Sequence, residues 1–140
     1  MMRAGYELFD HTADMGIRVC ATSYTGLLAP AAAGLYAAIG DLAAGGEAKQ
    51  AALDLTGRNR SMLLRDYLAE LLMWFERDRR IVTSCHVENF QETRLSLTAQ
   101  IELVDPQQSE YHREVKAITY HALDIRPVDG GYEATVIVDI

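Results

Sequence analysis

The stretch Asp14-Met15-Gly16-Ile17-Arg18-Val19-Cys20-Ala21 decides the architecture. Met15, Ile17, Val19 and Ala21 alternate with Gly16, Arg18 and Cys20, the period of two that marks a half-buried strand. At the other end of the sequence, Tyr132 to Asp139 also reads as a strand, launched by the hairpin signal Asp129-Gly130-Gly131. The first strand opens on an acid and the last one closes on an acid. If the two are antiparallel neighbours, the start of one lies beside the end of the other. Asp14, Asp139 and the α-carboxylate of Ile140 then meet at one edge of a sheet. Two carboxylates ~4 Å apart repel by about 4 kcal/mol at an effective dielectric near 20. Such a cluster raises a pKa, recruits a cation or holds its members apart. Oxygen donors with no Cys or His pair in register favour Ca²⁺, Mg²⁺ or Mn²⁺ over Zn²⁺. The competing reading makes Asp14 a turn cap and Asp139 a solvated terminal residue.

Between these strands the apolar spacing changes to that of helices. Leu27, Leu28, Ala31, Ala32, Leu35, Tyr36 and Ile39 recur at three-to-four intervals, with Pro30 marking a start or a kink and Gly40, then Gly45-Gly46, an end. Leu63, Leu64, Tyr67, Leu68, Leu71, Leu72 and Phe75 form one stripe of a second helix, with Arg65, Asp66, Ala69 and Glu76 opposite and Ser61 as the predicted N-cap. A short strand is expected near Leu53 and Leu55. From Ile81 the chain reads as strands. Leu95, Leu97, Ala99, Ile101 and Leu103 alternate cleanly, 105–109 is a loop, and Val115 to Ile125 is a further β stretch. The expected fold is a single α+β domain over 1–140, a largely antiparallel sheet packed against two main helices.

Composition narrows the function. A chain of 140 residues, 49% hydrophobic and 24% charged, is long enough for a real core. Thirteen Lys and Arg against 20 Asp and Glu, a net charge of -7, argue against stable direct binding to nucleic acid. Arg77-Asp78-Arg79-Arg80 is the one basic run, read as a solvated helix end. Cys20 and Cys85 lack metal-type spacing, Met1 to Gly5 carries no signal-peptide core, and no run is long enough for a membrane span. A cytoplasmic protein is expected. Ser84, Cys85 and His86 adjoin, but successive strand residues face opposite ways, so no nucleophile–base pair follows. His121, after Tyr120, reads as a core or edge histidine. No phosphate-binding glycine loop is present.

Four segments carry a resemblance. His11-Thr12-Ala13-Asp14, Gly16-Ile17-Arg18, Glu114-Val115-Lys116-Ala117-Ile118-Thr119-Tyr120-His121 and the closing Asp139-Ile140 together resemble the archease family, in order and across the whole chain. The resemblance implies a small accessory protein of tRNA splicing and RNA repair. Archeases activate the GTP-dependent RtcB-class RNA ligase, which joins 2′,3′-cyclic phosphate or 3′-phosphate ends to 5′-hydroxyl ends after guanylylating its own histidine with Mn²⁺. They accelerate that guanylylation, allow multiple turnover, and are not themselves the ligase. It also implies a divalent metal site at Asp14, Asp139 and Ile140, with Ca²⁺ in the isolated protein and Mg²⁺ or Mn²⁺ as alternatives. His11, Glu114 and Lys116 fall at the functional, partner-facing tip. A chaperone-like module for another RNA-processing enzyme, such as a tRNA methyltransferase, is the alternative. An autonomous hydrolase is disfavoured, since no general base or substrate pocket is readable. The sequence departs from the family pattern at Ile101-Glu102 and at Gln107-Gln108-Ser109, with His112 shifted, which bears on the partner-facing loop and not on the metal ligands.

Overall fold

The computed structural model describes residues 4–11 and 14–140. Expectations that fall on residues 1–3, and on Thr12 and Ala13 within the N-terminal motif, lie outside the described residues. In chain order the elements are β1 (Gly5–His11), β2 (Asp14–Ala21), a 3-10 turn (Thr25–Leu27), α1 (Leu28–Ile39), β3 (Gly40–Asp41), β4 (Ala44–Thr56), α2 (Arg60–Asp78), β5 (Arg80–Gln91), β6 (Arg94–Val104), β7 (Glu110–Tyr111), β8 (Ala117–Ile118), β9 (Asp124–Val128) and β10 (Gly131–Asp139). Every strand pairing is antiparallel. One sheet runs β1-β2-β10, with β8 and β9 successively along the far side of β10. A second runs β4-β6-β5, and β3 and β7 form a small ribbon. The expected α+β class holds, but the helices pack on two sheets: α1 on β1, β2 and β5, α2 on β4, β5, β6, β8 and β9.

Both helices form for local reasons. Ser23 Oγ accepts from Gly26 N–H at 3.1 Å and holds the 3-10 turn that leads into α1. Pro30 neither breaks nor kinks α1, because it lies in the first turn, where an N–H has no intrahelical partner to lose. The N-cap of α2 is Asn59, not the expected Ser61: Asn59 Oδ1 accepts from Met62 N–H at 3.0 Å. All seven residues of the predicted α2 stripe are buried. The basic run is the exposed end of α2 as expected over Arg77 to Arg79, and only Arg80 departs from that reading. Arg77 pairs with Asp78, Arg79 lies over the Phe75 ring, and Arg80 is buried with Nη1 donating to Glu47 O at 2.7 Å.

Two β readings need correction. Gly45-Gly46 does not close a helix but lies inside the 13-residue β4. Its register slips between Ala44, opposite Val104, and Ala48, opposite Glu102, so four steps on β4 span two on β6. Glycines fit that bulge because the Leu103 and Asp105 side chains occupy the Cβ positions of Gly46 and Gly45. The stretch from Val115 to Ile125 is not one strand. It pairs only at Ala117–Ile118 and again from Asp124, with Ala122 at φ 51° in the turn between. β1 carries no sequence signal, since it is an edge strand whose burial does not alternate cleanly.

The β1-β2-β10 sheet has two differently used faces. Ile17, Val19, Ala134, Val136 and Val138 are buried toward the helices. On the outer face the registers line up Phe9, Gly16 and Ile137 in one row. A Cβ on Gly16 would sit 2.1 Å from Phe9 Cζ, so the ring lies directly on the glycine, with the Arg18 guanidinium 4.5 Å from its centroid. Ile137 is 1% exposed without belonging to the main core. Gly16→Ala is expected to push the Phe9 ring off this row at a cost of about 1–3 kcal/mol, read as a lowered urea midpoint at unchanged slope.

Three buried tyrosines make stability fall in alkali. Burial pushes the Tyr36 phenol up to about 12, against a smaller lowering by the bond its oxygen accepts from Val82 N–H at 2.9 Å. Burial also raises Tyr24 and Tyr67, whose hydroxyls donate to Arg60 O and Leu28 O. The folded state holds these protons while the unfolded chain releases them near pH 10. Stability is therefore full below that pH and lost above it, by on the order of 2 kcal/mol from Tyr36 alone at pH 12. Urea midpoints measured from pH 8 to 12 should fall above pH 10, and less steeply in Tyr36→Phe.

Candidate functional site

The outer-face row next to Phe9–Gly16–Ile137 holds the acidic residues. β2 and β10 pair from Ala21 with Tyr132 to Met15 with Val138, and Asp14 and Asp139 are the residues that flank the last recorded pair at adjoining strand ends. The two strands are antiparallel neighbours, so the start of one does lie beside the end of the other. Like charges across neighbouring strands destabilise a sheet. On the other side of Asp14 the β1 ladder places His11, and on the other side of Asp139 the β8 ladder places Ala117. Asp14 is partly buried, Asp139 exposed, and Ile140 partly buried against the core.

His11 brings a feature with no counterpart in the sequence pattern. Its ring meets that of His121 edge-on, centroids 5.1 Å apart at 63°. His11 Nδ1 is shielded from solvent and has no hydrogen-bond partner. Leaving such an atom unpaired costs about 1–3 kcal/mol, so it marks a place suited to a polar or cationic occupant. His121 is exposed in a turn, not a core or edge-strand histidine. The sequence pattern had no His pair in register; the fold makes one between positions 110 residues apart in numbering, 11 and 121.

The segment Glu114 to His121 is a strap pinned along β10. Lys116 N–H donates to Asp139 O at 2.7 Å. Thr119 donates to Ile137 O through both its N–H, at 3.0 Å, and its Oγ1, at 2.9 Å. Val115 and Ile118 are buried. Arg65 of α2 closes the other side: Nε donates to Ile118 O at 3.0 Å and the guanidinium lies 4.3 Å from the Tyr120 centroid. Val115, Lys116, Ile118, Thr119 and Tyr120 together hold this strap against β10 and α2. The Lys116 side chain is exposed, along a groove with Met73 and Arg77 of α2.

Glu114 is placed apart from that row. It lines a cleft of about 510 Å³ with Phe75, Arg79, Tyr111 and His112. The structure therefore brings His11, Asp14, Asp139, Ile140 and the Lys116 backbone to one end of the sheet and sets Glu114 on a neighbouring surface. Of the residues that depart from the family pattern, Ile101 and Ser109 have structural roles, and Gln107 and Gln108 are exposed. Ile101 is buried in β6, Asp105 Oδ1 accepts from Gln107 N–H at 2.9 Å, and Ser109 Oγ accepts from Ala43 N–H at 2.9 Å. Cys20 and Cys85 form no disulfide, and burial raises the Cys85 thiol, opposite to what a thiolate nucleophile needs. Among the described residues no helix is long and apolar enough to cross a membrane.

A second acidic group was not legible in the sequence. Asp41, Glu110 and His112 each offer one donor atom within 4.8 Å of the others. Asp41 is far from Glu110 and His112 in the chain, and the β3–β7 ladder joins them.

Comparison with known proteins is consistent across the whole chain. The model of the Archease protein family matches residues 6–140. The protein archease of Methanopyrus kandleri is 31% identical over 96% of this chain and 99% of its own length. That of Methanosarcina barkeri is 33% identical over 96% and 95%. The solution structure of Methanobacterium thermoautotrophicum protein 1598 superposes with a TM-score of 0.76 at 27% identity, over 97% of this chain and 99% of that one. The Thermotoga maritima archease, described as a possible chaperone, shares the fold with a TM-score of 0.70 at 18% identity, over 100% and 98%. With the family model spanning nearly every residue and the motif residues gathered at one end of its central sheet, this chain belongs to the archease family.

Proposed function

We propose that this protein is a non-catalytic activator of an RtcB-class, GTP-dependent RNA ligase, serving cytoplasmic tRNA splicing and RNA repair through a cation-holding acidic tip. The observation that carries this reading is that β2 and β10 are antiparallel neighbours paired as far as Met15 and Val138, which sets Asp14 and Asp139 at adjoining strand ends. The donor set fits a divalent ion. Two adjoining carboxylates need neutralising, and the solvent-shielded, unpaired His11 Nδ1 stands beside Asp14 in the ladder. Asp14, Asp139 and the Ile140 carboxylate would hold Ca²⁺, or Mg²⁺ or Mn²⁺ in its place. When bound, the ion supplies charge neutralisation and a coordinating bridge to an acidic or phosphate group of the partner.

The chain's own residues do the rest. The strap keeps Lys116 against Asp139 and leaves its side chain exposed for the partner. The Phe9–Gly16–Ile137 row gives the acids a rigid, apolar support. A net charge of -7 suits docking on a basic, RNA-binding surface of the ligase. A binding module for another RNA-processing enzyme, such as a tRNA methyltransferase, is the second reading. It is favoured by the exposed Met73, Tyr111 and Tyr120, which no tip chemistry requires. Capture of ligase or of methyltransferase by the tagged protein from its host separates the two.

Asp14→Ala and Asp139→Asn should each abolish stimulation of ligase guanylylation while leaving the circular dichroism spectrum unchanged. Full stimulation by either variant would remove the tip from the mechanism. Appending residues after Ile140 displaces its carboxylate and should lower both Ca²⁺ affinity and stimulation, whereas an N-terminal tag of the same size should not.

A further inference from the structure

We infer that Asp41, Glu110 and His112 form a second divalent-metal site, selective for a transition ion of the Zn²⁺ or Mn²⁺ type and separate from the tip. Asp41 and Glu110 are direct partners in the β3–β7 ladder, and His112 follows Glu110 by two residues, so the three share one side of the ribbon. His112 Nε2 stands 3.4 Å from Asp41 Oδ2 and 3.9 Å from Glu110 Oε1. Ligand bonds of ~2.1 Å place neighbouring donors ~3.0–3.4 Å apart around a metal, so only a small contraction closes this set.

The site is built by the backbone and not by chance proximity of long side chains. His112 N–H and Arg113 N–H both donate to Ile39 O, at 2.8 and 3.1 Å. A Cβ on Gly40 would lie 2.0 Å from Glu110 O, so the close approach of the two strands requires glycine there. That approach forces two carboxylates into direct cross-strand opposition, an arrangement that destabilises a ribbon unless positive charge is added. One imidazole offsets at most one of the charges, and only when protonated. A divalent ion offsets both and uses the imidazole as a neutral ligand.

The donor types set the selectivity. One nitrogen with two carboxylate oxygens suits Zn²⁺ or Mn²⁺, whereas Ca²⁺ prefers oxygen alone. The side chains of Asp41 and Glu110 are 79% and 77% exposed, so water completes the coordination and the ion exchanges readily. The site also sits at the far end of the strap that reaches the tip. Lys116 lies four steps along the chain from His112, roughly 13 Å if extended. An ion at His112 therefore anchors one end of the segment whose other end is bonded to Asp139.

Calorimetric titration of the whole protein with Zn²⁺, and of the ¹⁵N-labelled protein with Mn²⁺, tests this. Wild type should bind Zn²⁺ at this site, and His112→Gln and Asp41→Asn should each weaken that binding by roughly tenfold or more. Asp139→Asn should leave it in place, which separates this site from the tip. Mn²⁺ should broaden the amide signals of Asp41, Glu110 and His112 in Asp139→Asn, and the same spectra report that each variant is folded. Zn²⁺ affinity unchanged in both His112→Gln and Asp41→Asn, or absence of broadening at the three residues in Asp139→Asn, overturns the assignment.

Discussion

Everything in this fold depends on the pairing of β2 with β10. Met15 lies opposite Val138, so two strands from opposite ends of the sequence form the middle of one sheet. Closing a loop that long costs entropy that no local contact returns. It is offset by burial: Ile17, Val19, Ala134, Val136 and Val138 are all at 0% exposure, covered by the helices that the intervening chain supplies. β1 then extends the sheet past β2, and β8 and β9 extend it past β10. The second sheet and both helices are insertions between these two strands, and they are placed where they can cover them.

The same pairing carries an electrostatic consequence. A central ladder whose last pair is Met15 with Val138 leaves two acids, Asp14 and Asp139, at adjoining strand ends on its rim. No Lys or Arg side chain makes an ion pair with either acid among the described residues. Nearby polar capacity is left unused as well, in the unpaired His11 Nδ1. Natural folds tolerate such local conflict where something outside the chain resolves it. The strap from Glu114 to His121 reinforces the rim. Its threonine, its buried Val115 and Ile118, and the Arg65–Tyr120 contact hold backbone against β10 without adding a counter-charge beside Asp139.

Some of this was legible in the residues and some was not, for identifiable reasons. Burial on one face leaves a periodic trace, so β2, β6, β10 and the stripe of α2 could be read directly. Exposed edge segments leave little, although β5 and the Leu53 to Leu55 part of β4 could be read. β1 and most of β4 are exposed, and the glycines of β4, which mimic a helix end, fit a bulge against Leu103 and Asp105. The strap reads as a strand because its residues are β-formers, yet only Ala117–Ile118 pair in it, since Thr119 turns both its donors to the one acceptor at Ile137. Asn59 outcompetes Ser61 as a cap because the helix starts two residues earlier than a Ser61 cap implies.

By itself the sequence determined the α+β class, the helix stripe, the strands that alternate, and a family resemblance that named Asp14, Asp139 and Ile140. These are properties of local periodicity and of residue identity, which need no partner to be read. The tertiary structure alone decided which strands are neighbours. It thereby decided that Asp14 and Asp139 lie at adjoining strand ends, that His11 meets His121, and that Asp41, Glu110 and His112 converge while Glu114 lines a different cleft. The physical reason is that ladder register couples residues by hydrogen bonding across space, and the spacing along the chain holds no record of it.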